Sequence, residues 1–124
     1  MRSATRERLK LADVQREHTD FIKAQPCVVC QQHAQHDDGR VEPWRQTTPT
    51  EAAHVGPKGR STEGNSGAGK GSFRRRLPIC AKHHNGSIYS FHKLSKSFWV
   101  LNALDPEALI TEMNERFDRG ERAA

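Results

Sequence analysis

No apolar run in this sequence approaches the ~20 residues that a membrane-spanning helix needs. The first eight residues are mostly polar or charged, and no apolar signal segment follows them. From these two absences we expect a soluble cytoplasmic protein that does not associate with a membrane.

Cysteine is scarce, and its number is odd. The sequence has three cysteines, two of them in the pair Cys27-x-x-Cys30. An odd number with one close pair does not fit a disulfide framework. The pattern favours a reducing compartment and metal ligation.

Apolar residues are also few. They make up 34% of the 124 residues, charged residues make up 28%, and no internal repeat is present. The length suits one domain, but such a thin core is marginal, so a bound metal would add needed stability. The formal net charge of +5 favours polyanionic partners, nucleic acid first.

An amphipathic helix is predicted from about Thr5 to Lys23, ending before Pro26. Positions on one face recur at spacings of three and four: Leu11, Val14, His18, Phe21 and Ile22. We interpret this helix as a packing element and expect His18 at its surface or edge.

A second helix is predicted near the end of the chain. Asp105-Pro106-Glu107 supplies a cap, a proline at the first position and an acid in the first turn. Gly120 ends the helix. Its predicted buried stripe is Leu109, Ile110, Met113 and Phe117.

Short elements are predicted between these helices. Residues 51–55 and 73–79 are strand candidates, and Pro78 suits an edge strand. Asn85-Gly86 is a turn signal, and a helix is predicted over residues 87–100.

A long polar loop is predicted over residues 31–50, after a tight turn at Cys27 and Cys30. His33 and His36 have a spacing that could bind a metal, but polar loops often contain histidines without such a role. Trp44 is a candidate anchor of this loop.

Two chelating pairs stand on either side of the strand candidates, Cys27-x-x-Cys30 and Cys80-x-x-His83. Together they supply a tetrahedral Cys₃His set, which is typical of a closed structural zinc site. One such pair alone could be a redox pair, but a redox pair normally opens a helix in a βαβ unit, and that context is missing.

The order of these motifs resembles the HNH endonucleases, the ββα-metal or His-Me finger nucleases, with an added zinc knuckle. The motifs are C-x-x-C, E-A-A-H-V, a Gly/Lys-rich hairpin, L-P-I-C-x-x-H-H and a helical histidine, and they cover about residues 26–100. The likeness is greatest to small phage and prophage HNH-type proteins.

The resemblance implies a small α+β fold of the ββα-metal type, stapled by zinc. Residues 1–25 would form an N-terminal helix, residues 26–100 the nuclease core, and residues 101–124 a C-terminal helix packed on the same domain. It also implies DNA as partner and the cytoplasm of a bacterium or phage-infected host.

By the same resemblance, His54 is the general base that activates water in hydrolysis of the DNA phosphodiester. His84 and His92 are ligands of one divalent ion, which in such enzymes is often Mg²⁺, Mn²⁺, Ni²⁺ or Zn²⁺. Phosphodiester hydrolysis needs both a base at neutral pH and a cation to stabilise the charged transition state.

Three departures from the family pattern bear on this site. Ala53 stands where many members have a metal ligand, and either Glu51 or His54 could replace it. The family's central Asn has no clear match. His84 and His92 are eight residues apart, about 12 Å along one straight helix, so the site requires a turn between them.

A basic, glycine-rich segment runs from residue 56 to residue 76, with Glu63 as its single acid. We expect it to contact the nucleic-acid backbone, although an exposed solvated loop would have the same composition. Gly64 to Lys70 matches the start of a P-loop, but Gly71 replaces the hydroxyl residue and a strand follows. The basic residues are Lys58, Arg60, Lys70, Arg74, Arg75 and Arg76.

The sequence therefore indicates two candidate functions. One is a metal-dependent HNH-type endonuclease. The other is a non-catalytic, zinc-stabilised protein that binds nucleic acid or acts as an adaptor. A homodimer and a phage protein partner are both left open.

Overall fold

The computed structural model describes residues 4–35, 46–61 and 72–121, which form a two-stranded sheet and six α-helices. A short 3₁₀ helix spans Pro57–Gly59. The order along the chain is α1 (Ala4–Lys23), α2 (Val28–Gln35), β1 (Thr50–His54), β2 (Arg76–Cys80), α3 (Ala81–Asn85), α4 (Phe91–Leu94), α5 (Lys96–Leu101) and α6 (Pro106–Asp118). Mixed helix and sheet confirms the α+β class. No described helix combines the length and the apolar character needed to cross a membrane.

The two strands pair antiparallel, with Thr50 opposite Cys80 and His54 opposite Arg76. Both predicted strands are confirmed, but β2 begins three residues later than residue 73, because Ser72 accepts a hydrogen bond from the backbone N–H of Arg75 and forms a turn. Pro78 lies opposite Ala52. A described sheet of two strands leaves each strand an outer edge, where a residue without an N–H costs no ladder hydrogen bond.

Helix α1 confirms the predicted N-terminal helix, with Phe21 and Ile22 fully buried. The expectation for His18 was wrong, because its exposed fraction is 0%. The ring packs edge-on against Phe73 and Phe117, at centroid distances of 5.3 and 4.9 Å. His18 thus belongs to the apolar stripe whose spacing it shares.

The single helix predicted over residues 87–100 was also wrong. A turn occupies residues 86–90, and the chain then forms the separate helices α4 and α5. Ser95 lies between them with a φ of 52°, which no α-helix contains. Apolar residues continue at helical spacing across this break, so periodicity alone could not show it.

The region after Cys27 differs from its prediction as well. Helix α2 begins at Val28, where a tight turn and a polar loop were expected. Residues 36–45, which include His36 and Trp44, lie outside the described part of the chain.

The core lies where α1 and α6 contact each other and β2. Trp99 extends it to the 3₁₀ helix, since its Nε1 donates a hydrogen bond of 2.7 Å to the carbonyl oxygen of Gly59. Gly59 has a φ of 80°, and a Cβ there would lie 2.9 Å from Trp99 Cδ1, so this position requires glycine. The largest fully buried side chains include Phe21, Phe91, Phe98, Phe117, Leu77 and Ile79.

Candidate metal centre and histidine cluster

The Cys₃His group consists of Cys27, Cys30, Cys80 and His83, and three elements bring it together. Cys27 and Cys30 lie before and within the first turn of α2, Cys80 ends β2, and His83 lies in α3. The backbone next to the group is also held, since Cys27 N–H donates to Gln46 Oε1 at 2.9 Å. The predicted ligand set is therefore assembled in space.

The distances within the Cys₃His group fit one metal ion. The sulfurs of Cys30 and Cys80 are 3.8 Å apart, and His83 Nδ1 lies 3.8, 3.6 and 3.2 Å from the sulfurs of Cys27, Cys30 and Cys80. A tetrahedral ion with metal–sulfur bonds of about 2.3 Å separates two sulfurs by about 3.8 Å and a sulfur from a nitrogen by about 3.5 Å. The group could therefore hold a metal ion such as zinc.

Burial sets the electrostatics of this group. It raises the pKa of Cys27 and Cys30. Burial also acts to raise the pKa of Cys80, but hydrogen bonds from the Thr48 side chain and the His83 backbone outweigh it and leave the pKa lowered. Burial, followed by the charges of His33 and Lys82, lowers the pKa of His83 to about 4, so its imidazole is neutral at pH 7, as a metal ligand must be. Burying three thiolates together costs free energy, because each carries a negative charge. A cation bound between them offsets this cost.

A second constellation, the Glu51–His84–His92 cluster, lies next to the Cys₃His group along the chain. His84 Nδ1 is 2.7 Å from Glu51 Oε1, and the rings of His84 and His92 are 4.3 Å apart between centroids. The turn over residues 86–90 separates α3 from α4 and lets the two histidines meet. The required turn between them is therefore confirmed.

His54 is the last residue of β1, three residues after Glu51. Within residues 4–35, 46–61 and 72–121, only the Cys₃His group brings three or more ligand atoms within 4.8 Å of one another. A second ion held by His84 and His92 therefore stays a prediction.

Glu51 was considered as a replacement metal ligand. Its carboxylate accepts a hydrogen bond from His84, which is the position of a residue that orients a ligand rather than of the ligand itself. Ala53, which takes the usual ligand position, is fully buried.

The basic residues of the segment from residue 56 to residue 76 have different surroundings in the structure. Lys58, within the 3₁₀ helix, and Arg60, directly after it, are exposed, while Lys70 lies outside the described residues. Arg74 pairs with Asp118 at 3.0 Å. Arg75 forms two hydrogen bonds to Glu107, of 2.9 and 2.5 Å, which raise the pKa of its guanidinium.

Arg76 was expected on the surface that contacts nucleic acid, and the structure removes it from that surface. Its exposed fraction is 7%. Its guanidinium donates to His18 Nδ1 at 3.0 Å and to the Gln15 carbonyl oxygen at 3.1 Å, while His18 Nε2 lies 3.3 Å from Asn114 Oδ1. Arg76 is thus a structural link between β2, α1 and α6.

This buried network was missed in the sequence, although one signal was present. His18 lies four residues after Val14 and three before Phe21, which places it within the apolar stripe. Its partner on β2 is 58 residues away, so no local pattern could have identified Arg76.

His33 is not part of the Cys₃His group. Its Nε2 lies 3.3 Å from Asn102 Oδ1, and its ring is 6.0 Å from that of His83. His36 lies outside the described residues, so the predicted H-x-x-H pair cannot be placed.

Comparison of this chain with protein-family models, with curated proteins and with solved structures finds no match. The likeness to HNH endonucleases therefore rests on the residues and motifs of the chain itself.

Proposed function

We propose that this protein is a zinc-stabilised, metal-dependent endonuclease of the HNH type that hydrolyses DNA phosphodiester bonds. The observation that supports it best is the Glu51–His84–His92 cluster, in which Glu51 lies on β1 and His84 directly follows the Cys₃His residue His83. The strands are joined by the basic segment, which suits a phosphate-rich partner.

In this proposal the Cys₃His group binds one zinc ion that has a structural role. All four positions are taken by protein ligands, so no position remains for water or substrate. Because His83 and His84 are neighbours in α3, the zinc site also fixes the position of the His84 backbone.

The His84 and His92 imidazoles would hold one divalent cation, and a bound cation stabilises the charge that develops on the phosphate during hydrolysis. Glu51 accepts a hydrogen bond from His84 Nδ1–H, which leaves Nε2 as the nitrogen with a lone pair. Glu51 is thus a positioning residue in this proposal. His54 would accept the proton of the attacking water.

Nicking of supercoiled plasmid tests the ion site. We expect nicking that requires added Mg²⁺, Mn²⁺, Ni²⁺ or Zn²⁺ and stops with excess chelator. His84→Ala and His92→Ala should lose about 100-fold or more in rate, since the transition-state charge is then unsupported. Lys93→Ala, an exposed neighbour of His92 in α4, is the matched control and should nick at the native rate.

The base assignment is tested separately, because His54 is not one of the residues that hold the ion in this proposal. His54→Ala should lose about 100-fold or more in nicking while its zinc content and DNA affinity stay unchanged. Undiminished nicking by this variant would refute the role of His54 without affecting the ion site.

The second candidate function is a zinc-stabilised protein that binds nucleic acid or acts as an adaptor without catalysis. It is favoured by the finding that, in the described part of the chain, only the Cys₃His group has compact ligand geometry. Metal analysis separates the two proposals. The nuclease predicts a second ion that binds with the nicking activity, whereas the binding module predicts zinc alone and no nicking.

A further inference from the structure

A cavity of about 500 Å³ lies on the side of α3 that Lys82 and His83 line. Its walls come from α2, from α3, from the turn before α4 and from the end of α5. The lining includes His33, Lys82, Ser87, Tyr89, Leu101 and Asn102. A volume of this size falls in the range of small-molecule and cofactor sites, about 300–1,000 Å³.

The walls of this cavity are held by contacts within the fold. Gln32 Nε2 donates to the Ala103 carbonyl oxygen at 3.1 Å, and His33 Nε2 lies 3.3 Å from Asn102 Oδ1. These two contacts fasten α2 to the end of α5. Helix α3 is positioned separately through His83 of the Cys₃His group. The walls of the cavity are therefore positioned by contacts within the fold.

The lining suits a planar ring joined to a negatively charged group. Tyr89 and Leu101 have exposed fractions of 62% and 61%, so both offer apolar surface to a ligand. Exposed tyrosine rings stack on bases of any sequence. Lys82 adds an exposed cation, and the described lining residues include no Asp or Glu. Ser87 and Asn102 supply hydrogen-bonding groups for the edge of the ring.

The position of the cavity connects it to the candidate active site. His83 lines the cavity, and the next residue, His84, carries the contacts to Glu51 and His92. The cavity and the Glu51–His84–His92 cluster are thus joined through α3.

We propose that this cavity binds one unpaired nucleobase, stacked on Tyr89, with the adjoining phosphate on Lys82. The preferred substrate is then single-stranded or locally unpaired DNA, an inference that rests on the proposed action on nucleic acid.

The test is fluorescence anisotropy with the zinc-loaded protein and a short fluorescein-labelled oligo(dT), without other divalent ions. Tyr89→Ala should weaken binding of this probe about 5- to 100-fold, because one stacked base is lost. Tyr89→Phe keeps the stacking ring and should bind like the native protein. A duplex of the same length should bind Tyr89→Ala nearly as well as it binds the native protein.

Equal affinity of native and Tyr89→Ala protein for oligo(dT) would overturn the proposal, and so would an equal loss for the duplex. A dimer that Tyr89→Ala abolishes without any change in oligo(dT) affinity would assign the surface to a second copy of the chain instead. Plasmid nicking by the native protein is scored in parallel. If oligo(dT) binding depends on Tyr89 but the protein does not nick, this inference is supported and the catalytic function is ruled out. If the protein nicks but Tyr89→Ala has no effect on oligo(dT) binding, the catalytic function is supported and this inference is ruled out.

Discussion

Cys80 ends β2 and supplies one of the three sulfurs of the Cys₃His group. Since free energy of metal binding is also free energy of folding, we expect Cys80→Ser to lose its zinc and its cooperative thermal unfolding. Zinc analysis and a thermal melt followed by circular dichroism measure both effects. A variant that melts like the native protein would show that the group does not staple the fold.

The matched control is Ser90→Ala. Ser90 Oγ is buried, and no described residue hydrogen-bonds to it, so its removal leaves no partner unsatisfied. We expect native zinc content and a native melting temperature for this variant. The comparison separates loss of a ligand from loss of any buried polar side chain.

His18 is the residue whose titration should affect stability most clearly. Burial, followed by the charge of Arg76, lowers its pKa from 6.5 to about 4 in the folded protein. Between these values the unfolded chain binds more protons, so the free energy of unfolding falls as the pH falls. The fall between pH 7.5 and pH 5.5 is about 1.4 kcal/mol.

Urea unfolding of the native protein and of His18→Gln, at both pH values, measures this contribution. The variant has no imidazole at this position. Its free energy of unfolding should therefore fall by about 1.4 kcal/mol less than that of the native protein over the same pH interval. Zinc content determined at both pH values checks that the Cys₃His group is intact. Parallel pH profiles would contradict the assignment of this pH dependence to His18.

At the scale of elements, α6 has the clearest local signal. Asp105 accepts hydrogen bonds from the backbone N–H groups of Glu107 and Ala108, at 3.0 and 3.2 Å. Asp105→Ala should reduce the free energy of unfolding by about 1 kcal/mol, and Asp105→Asn, which keeps an acceptor, by much less. Urea unfolding measures the difference. An Asn variant as unstable as the Ala variant would show that the cap does not act through its oxygen.

Elements with local signals were predicted from the sequence, and those decided by distant contacts were not. The Asp105 cap and the two chelating pairs each consist of residues that are close together in the sequence, so they were predicted. The break at Ser95 was missed because apolar spacing continues through it. Arg76 looked like a surface cation because its partners come from α1, far away in sequence.

The same distinction between local and distant contacts applies to the candidate site. Spacing within Cys27-x-x-Cys30 and Cys80-x-x-His83 predicts which atoms can share an ion, since each pair is a local chelate. The contact between Glu51 and His84 joins residues 33 positions apart and depends on how α3 packs against the sheet.

At the scale of the whole molecule, the basic residues that give the net charge of +5 do not form one uniform basic surface. Arg74 is paired with Asp118 and Arg75 with Glu107, while Arg76 is buried. Among the expected contact residues that the structure describes, Lys58 and Arg60 remain exposed. We therefore expect these two to bind phosphate, and the three arginines to serve the fold.

The salt dependence of duplex DNA binding tests this division of charges. Each phosphate contact adds about 0.9 to the slope of log K against log salt, so Lys58→Gln and Arg60→Gln should each reduce its magnitude by about 1. Arg74→Gln removes the same charge from an existing ion pair and should leave the slope nearly unchanged. If Arg74→Gln reduced the slope as much as Lys58→Gln, the Arg74–Asp118 pair would have to open when DNA binds, and the contact surface would extend to α6.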